Sequence, residues 1–416
     1  MRASPSPDPE SGTRAPQPIE PSMSLPTLRI LPGHDKRLRG GGPWLYSNEV
    51  QMDRAAKSLE PGSLVRLVSH DGKAMALAQF NPHSLICARV LTRNTEATID
   101  TRFLARRFER ALQLRSRLFD KPFYRLVHAE ADGLPGLIAD RYGEILVLQI
   151  NTIGMQRLEV QLLEAIEQVL APRAIVLRND SAIRALEGLP EEVRVAKGTV
   201  PARVELEENG VTFLADVLQG QKTGWFYDQR PNRAFAARLA RDQRVLDLYS
   251  YGGGFGLTAL AQGAREAVLI DRAEGALALA RASAERLGLA DRTSFLKKEV
   301  FEACEELAAE KARFGLVVAD PPAFVKSKKD LAVGLRGYRK LARQAATLVA
   351  EAGFLAIASC SHQVSEEDFG REVFAGIRAA GRGARLLYRG FAGPDHPVHP
   401  ALPEGAYLKF HAYALD

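Results

Sequence analysis

Val245-Leu-Asp-Leu-Tyr-Ser-Tyr-Gly-Gly-Gly-Phe-Gly256, followed by a helical run to Gln262 and then by Ala267-Val-Leu-Ile-Asp271, decides the fold of this chain. A second helix runs to Leu287 and a third apolar run follows at Ser294-Phe-Leu296. Short apolar runs that alternate with helices across short loops read as a doubly wound parallel sheet, an α/β architecture. Ligands of such a sheet bind outside the carboxyl ends of its strands, where the glycine turn and Asp271 both fall.

The glycines, Gly252 and Gly254 among them, let backbone approach a ligand closely. Asp271, 24 residues after Asp247, is placed to accept hydrogen bonds from ribose hydroxyls. Gly254-Phe-Gly256-Leu-Thr-Ala259 also fits the dinucleotide fingerprint, so the loop alone admits a nicotinamide cofactor or S-adenosylmethionine. Other features favour S-adenosylmethionine. Asp247 lies inside the first strand, where it suits an ammonium group and repels a pyrophosphate. The Asp320-Pro-Pro322 turn has no task in hydride transfer, and the closing strands, Arg385 to Phe391 and Ala406 to Ala414, return as an antiparallel pair like the end of methyltransferase sheets.

Cys360 sits in Ala356-Ile-Ala-Ser-Cys-Ser-His362, forty residues after the Asp320 of Val317-Val-Ala-Asp-Pro-Pro-Ala-Phe324. Both runs read as buried strands that end in polar turns. A thiol and a carboxyl at neighbouring strand ends suit attack on a flat heterocycle. Carbon 5 of a pyrimidine becomes nucleophilic once a soft thiolate adds at carbon 6; Cys360 takes that role, and Asp320, as the protonated acid, hydrogen-bonds nitrogen 3. The base must leave its stack, so Phe324 offers a surface to receive it, and Lys326, Lys328 and Lys329 offer charge to flanking phosphates. The plainer alternatives are a packed structural thiol and a solvated lysine loop. Cys87 and Cys304, with apolar neighbours, read as core.

The chain's 416 residues suggest two or three domains; its net charge of +6 and pI near 9.2 are modest, and the uneven placement of the excess matters more for a polyanionic partner than the total. Residues 1 to 24, with six prolines, read as a disordered tail. Residues 25 to 96 show short strands broken by Asp71-Gly72 and Asn81-Pro82, a small β-barrel whose first loop carries Lys36, Arg37 and Arg39 beside Gly40-Gly-Gly-Pro-Trp44, a basic rim next to flexible backbone that reads as an RNA phosphate contact, the plainer alternative being a solvated turn. Residues 97 to 200 read as a central α/β unit, opened by a helix from Thr101 to Phe119 with Arg102, Arg106, Arg110 and Arg117 on one side and closed by a helix from Met155 to Leu170 between two strands. Residues 201 to 416 hold the large sheet, entered through a hairpin at Asn209-Gly210. No apolar run is long enough for a membrane span, no signal peptide is evident, and three scattered cysteines fit neither disulfides nor zinc. A cytoplasmic chain without metal is expected; His362, His396 and His399 lack supporting ligands.

The chain resembles the bacterial 23S ribosomal RNA cytosine-C5 methyltransferases, which join a PUA RNA-binding domain, a small central domain and a class I, Rossmann-like methyltransferase domain. The likeness rests on Arg125-Leu-Val-His-Ala-Glu-Ala-Asp-Gly-Leu-Pro-Gly-Leu137, Gln221-Lys-Thr-Gly-Trp-Phe-Tyr-Asp-Gln-Arg230, Leu246-Asp-Leu-Tyr-Ser-Tyr251, Asp320-Pro-Pro-Ala-Phe324, His396-Pro-Val398 and Pro403-Glu-Gly-Ala-Tyr-Leu-Lys409. It implies that Lys222, Phe226, Arg230, Asp247, Tyr249, Gly252, Gly254, Asp271 and Arg272 line an S-adenosylmethionine pocket, with Glu299 facing the adenine amine. It also implies ribosomal RNA or a subunit precursor as partner, and a homodimer is compatible with it. Family members usually carry Gly-His-Pro-Trp where this chain has Gly41-Gly-Pro-Trp44. Three rivals remain: methylation of an exocyclic amine, methylation of uracil C5, and an inactive RNA-binding assembly protein.

Overall fold

The computed structural model describes residues 25–416; the expected tail lies outside the described residues. Strands β1 (Thr27–Arg29), β2 (Trp44–Leu45), β3 (Ser63–Val68), β4 (Ala74–Phe80) and β5 (Ala88–Thr92) pair in the order β1-β3-β4-β5-β2 around a core that includes Leu28, Ile30, Leu67, Phe80 and Cys87. The basic stretch Lys36–Arg39 is a short helix rather than a flexible loop.

A second sheet holds β6 (Phe123–His128), β7 (Leu137–Tyr142), β8 (Ile145–Ile150), β9 (Ala174–Asn179) and β10 (Glu192–Lys197) in the order β10-β9-β8-β7-β6. Its apolar face is covered by the helix Thr101–Leu118, which buries Leu104, Phe108 and Ala111, and by the helix Glu159–Leu170. The helix expected from Met155 to Leu170 is two: Ile153–Arg157 ends at Leu158, and Glu159–Leu170 begins from it.

The hairpin β11 (Val204–Glu208) and β12 (Val211–Ala215) turns at Asn209, whose φ of 53° and the following Gly210 at 77° supply the left-handed pair this tight turn needs. The last sheet comprises β13 (Arg244–Leu248), β14 (Glu266–Asp271), β15 (Thr293–Lys297), β16 (Phe314–Ala319), β17 (Val349–Ser359), β18 (Ala384–Gly390) and β19 (Lys409–Leu415), ordered β15-β14-β13-β16-β17-β19-β18. Pairing is parallel from β15 to β17, and antiparallel for β17 with β19 and β19 with β18. Every residue of β16 is buried, as a central strand covered by helices on both faces requires. Leu248 is level with Ile270 and Ala319, and Ala319 with Ile357, so Tyr249, Asp271, Asp320 and Cys360 leave the sheet at one edge.

Buried polar groups join the sheets. Arg125 forms a forked pair with Asp140, 2.8 and 2.9 Å, and Asp140 also accepts from the Thr223 hydroxyl at 2.5 Å. Arg115, fully buried, donates to both oxygens of Asp132 and to the Asp395 carbonyl. Replacing Arg125 by Met leaves the Asp140 charge unpaired in the interior; unfolding in urea is expected to reveal a loss of about 3–5 kcal/mol. Lys121→Ala at the exposed pair with Glu207 should cost less than about 1 kcal/mol in the same assay.

Candidate active site

At the carboxyl edge of the large sheet lies a cavity of about 620 Å³. Of the residues singled out in the sequence, Lys222, Phe226, Tyr249, Gly254, Asp271, Arg272 and Glu299 line it, together with Asp320, Phe324 and Cys360. Three of its lining residues have positive φ without being glycine: Lys222 at 50°, Tyr249 at 62° and Tyr251 at 47°. Such strain clusters where surrounding structure over-determines a backbone.

The glycine turn opens the helix Gly254–Ala261. Asp247, fully buried beneath it, accepts the Gly256 N–H at 2.8 Å and stays out of the cavity lining. Asp271 accepts from the Tyr251 and Ala273 backbones, which fixes its carboxylate at the cavity wall. Arg272 and Glu299, both exposed at the rim, lie 3.8 Å apart.

Three expectations are corrected: Asp247, as just described, lies beneath the loop and not in the cavity wall, and Arg230 and Gly252 do not line the cavity. Arg230 turns away: its guanidinium lies over the Phe119 and Tyr227 rings and donates to the Phe123 carbonyl. Arg233, one helical turn later, is the arginine that lines the cavity, pairing with Glu208 at 2.7 Å over the Trp225 and Phe255 rings. Gly252 does not line the cavity either; it packs on Trp225, and a Cβ there would come within 3.1 Å of the indole.

Cys360 follows β17 and approaches the Pro321 carbonyl at 3.9 Å, which sets the thiol against the Asp320 turn. Tyr338 holds the two segments together, its hydroxyl bonded to Ser359 and Ser361, while Ser361 accepts the Val325 N–H. Lys409 donates to the carbonyls of Ser361 and Tyr407, so β19 braces the same turn. Phe324 rests on Tyr338 and Phe301. Lys326, Lys328 and Lys329 are exposed and make no ion pair among the described residues.

Electrostatics divide the carboxyls. Burial lifts Asp320 to about 7, helped by the Asp228 charge and opposed by Arg233, Lys222 and a 2.9 Å hydrogen bond from Gln229. Burial likewise lifts Asp247 to about 7. Burial would raise Asp228 too, but Lys222, His396, the Tyr407 hydroxyl and Arg125 hold it at about 2. The Cys360 thiol is pushed up by burial, Asp320 and Asp228 and pulled down by Lys222. Asp228, Gln229 and Arg233, all buried and all lining the cavity, carried no role in the sequence reading. The quoted run from Gln221 to Arg230 includes the first two, but spacing gave no cue to which of its side chains face inward.

The N-terminal basic stretch is partly neutralised: Arg39 pairs with Asp35 at 2.7 Å and Arg37 lies 3.6 Å from Glu49, leaving Lys36 outside any ion pair among the described residues. Trp44 donates to Glu130 at 2.8 Å and so latches the first sheet to the second. No group of three or more His, Cys, Asp or Glu among the described residues could hold a metal ion, and no described helix is long and apolar enough to cross a membrane.

The S-adenosylmethionine-dependent methyltransferase family model matches residues 172–380, and a PUA-like domain model matches residues 28–93. The chain is 35% identical over 386 residues to a protein named ribosomal RNA large subunit methyltransferase I from Pseudoalteromonas atlantica, covering 92% of this chain and 97% of that one. Its likeness to the protein of the same name from Aeromonas salmonicida is 37% over 387 residues, with 92% and 97% covered. Among solved structures, a putative methyltransferase complexed with SAH superposes with a TM-score of 0.80 at 20% identity, covering 94% of this chain and 100% of that one. A putative S-adenosylmethionine-dependent methyltransferase from Streptococcus mutans gives 0.78 at 20%, with the same coverage. These two agree with the fold, which the PUA-like match and the sheet order describe as a PUA-like domain before a Rossmann-like sheet with antiparallel closing strands.

A carboxyl whose folded pKa exceeds its unfolded value binds its proton more tightly when folded. Its stabilising contribution is therefore full below about pH 4 and lost as pH rises through about 7 for Asp320. Asp320→Asn is expected to reduce the fall in unfolding free energy between those limits; a fall as steep as the wild type's in urea titrations across that range would contradict the raised pKa.

Proposed function

The chain belongs to the S-adenosylmethionine-dependent methyltransferase family, and from that premise we propose that it methylates large-subunit ribosomal RNA, forming 5-methylcytosine through a covalent adduct of Cys360. The reading is carried by one observation: the thiol lies against the Asp320-Pro-Pro turn, in the wall of the cavity that also contains the glycine loop.

The cavity suits the cofactor. Ser250 Oγ and Arg233 Nε, on lining residues, are buried without hydrogen-bond partners, as is Asp247 Oδ1 beneath the loop. Such groups are costly unless something pairs with them. Arg233 and Ser250 would hold the amino-acid end, Asp271 the ribose, and Tyr249 and Glu299 the adenine end. Bound S-adenosylmethionine supplies an electrophilic methyl group on a sulfonium.

Cys360 adds as thiolate to carbon 6 of the flipped cytosine, which makes carbon 5 nucleophilic. Asp320, which burial leaves protonated for part of the time near neutral pH, donates to nitrogen 3 and takes up the charge that the addition pushes onto the ring. Its protonation also removes one of the negative charges that oppose the thiolate. Carbon 5 would then form a bond to the methyl group as the methyl's bond to the sulfonium breaks, leaving the neutral thioether, and loss of the carbon 5 proton restores the ring double bond and expels Cys360. Phe324 offers the base an aromatic surface, and Lys326, Lys328 and Lys329 offer the flanking phosphates charge.

With S-adenosylmethionine bearing a deuterated methyl group, nucleosides from unmodified large-subunit RNA are expected to carry label in 5-methylcytidine, and none with Cys360→Ala. Label in a methylated purine, or undiminished label with the variant, would transfer the assignment to amine methylation. Arg233→Lys, which keeps a cation for Glu208 but loses the guanidinium fork, should weaken S-adenosylmethionine binding roughly tenfold by calorimetry. Arg230→Lys should leave that affinity within about twofold.

A further inference from the structure

Asp228 is 5% exposed and lines the cavity. Its Oδ2 accepts the Tyr407 hydroxyl at 2.5 Å; its Oδ1, also buried, has no partner. A buried carboxylate oxygen without a donor is costly, so this atom is suited to an N–H brought by a ligand. Lys222 and Arg125, with the Tyr407 hydroxyl, keep it an ionised acceptor.

Asp320 presents the opposite character. Gln229 donates to its Oδ1 at 2.9 Å, and the amide is fixed in that sense because Asn232, fully buried, donates to Gln229 Oε1 at 2.7 Å. The remaining oxygen, Oδ2, is left to carry the proton. The cavity thus offers an acceptor at Asp228 and a donor at Asp320, and both carboxyls act on the Cys360 thiol.

Cytosine presents the complement on one edge: the N4 amine donates and N3 accepts. Uracil presents the reverse, a carbonyl at C4 and an N–H at N3. We infer that Asp228 is the specificity-determining residue that accepts the exocyclic amine of the target cytosine and rejects uracil. The inference rests on the cytosine C5 reading above. The cofactor's ammonium is the other donor the cavity would receive, but the unpartnered atoms of Ser250, Asp247 and Arg233 belong to the glycine loop, the strand beneath it and the helix packed on it, whereas Asp228 is bonded to Tyr407 of the segment that Lys409 ties to the Cys360 turn.

Large-subunit RNA transcribed with 5-fluorocytidine or with 5-fluorouridine tests this, because fluorine at carbon 5 cannot leave as a proton does and the adduct persists on a denaturing gel. With S-adenosylmethionine present, the wild type is expected to trap the 5-fluorocytidine RNA and not the 5-fluorouridine RNA. Asp228→Asn should slow trapping of the first by roughly 100-fold or more, trap the second more readily than the wild type does, and bind S-adenosylmethionine within about twofold of wild type by calorimetry. Asp228→Glu, whose carboxylate is displaced by one methylene, serves if the Asn variant lacks a cooperative thermal transition; it too should lose trapping and keep the cofactor. A variant that traps cytosine RNA at the wild-type rate with discrimination intact, or that loses cofactor affinity tenfold, overturns the role of Asp228 alone. A wild type that traps neither RNA overturns the cysteine mechanism and this inference with it.

Discussion

The buried pair of Arg125 and Asp140 is the constraint on which the site depends. Asp140 spends one oxygen on Arg125 alone and shares the other with the Thr223 hydroxyl, so a strand of the second sheet reaches directly into the segment that walls the cavity. Neighbouring contacts repeat the same attachment. Tyr142 donates to the Thr223 carbonyl, and Tyr227 donates back to the Arg141 carbonyl. The chain enters these anchors through Lys222 at positive φ, and the stretch they fix places Trp225, Phe226, Asp228 and Gln229 in the cavity lining. The second sheet therefore acts as a template for one wall of a site whose other wall is the edge of the large sheet. A buried ion pair is a weak stabiliser when compared with apolar packing, but once present it is strongly directional, and either partner alone is costly. That property suits a template.

The same attachment orders the charges. Arg125, held by the Asp395 carboxylate through its backbone N–H, contributes to the positive field that keeps Asp228 ionised. Asp320, on the turn after β16, gains proton affinity from burial and from the Asp228 charge. One ionised carboxylate thus helps to keep its neighbour protonated, as two nearby carboxyls in a low-dielectric site tend to do. The arrangement needs both elements: the ionised group comes from the wall fixed by the second sheet, and the protonated group from the large sheet itself.

The alternation of apolar runs and helices from Val245 to Leu296 was legible because parallel strands buried on both faces leave unbroken apolar runs bounded by turns. The closing pair and the Asn209-Gly210 hairpin were legible for similar local reasons. Strands β6, β7 and β10 were not, since Phe123–His128, Leu137–Tyr142 and Glu192–Lys197 mix charged and apolar residues and owe their pairing to neighbours distant in sequence. At the site, spacing placed the loops but not the direction of each side chain. Arg230 and Arg233 differ by three residues on one helix and share Glu208, at 3.7 and 2.7 Å, but Phe119 and Phe123, from another part of the chain, draw the first outward. Trp44 likewise reads as part of an RNA-facing loop until Glu130, 86 residues away, takes its indole N–H.

The thiol presents the sharpest physical problem in this architecture. Burial and two carboxyls oppose its ionisation, and Lys222 is the cation that favours it. The opposition is not uniform, however. Near neutral pH Asp320 carries a proton for part of the time, and its charge then no longer acts on the sulfur; Asp228 directs its ionised head partly into the Tyr407 hydroxyl. A base that entered between them with a donor toward Asp228 and an acceptor toward Asp320 would draw the first's charge into a hydrogen bond and hold the second protonated, each change favouring the thiolate. A base with the reverse pattern would do the opposite on both sides. On the proposed reading, recognition and activation of the nucleophile are one electrostatic event: the Cys360 thiolate would be favoured when the correct ring is in place and disfavoured otherwise.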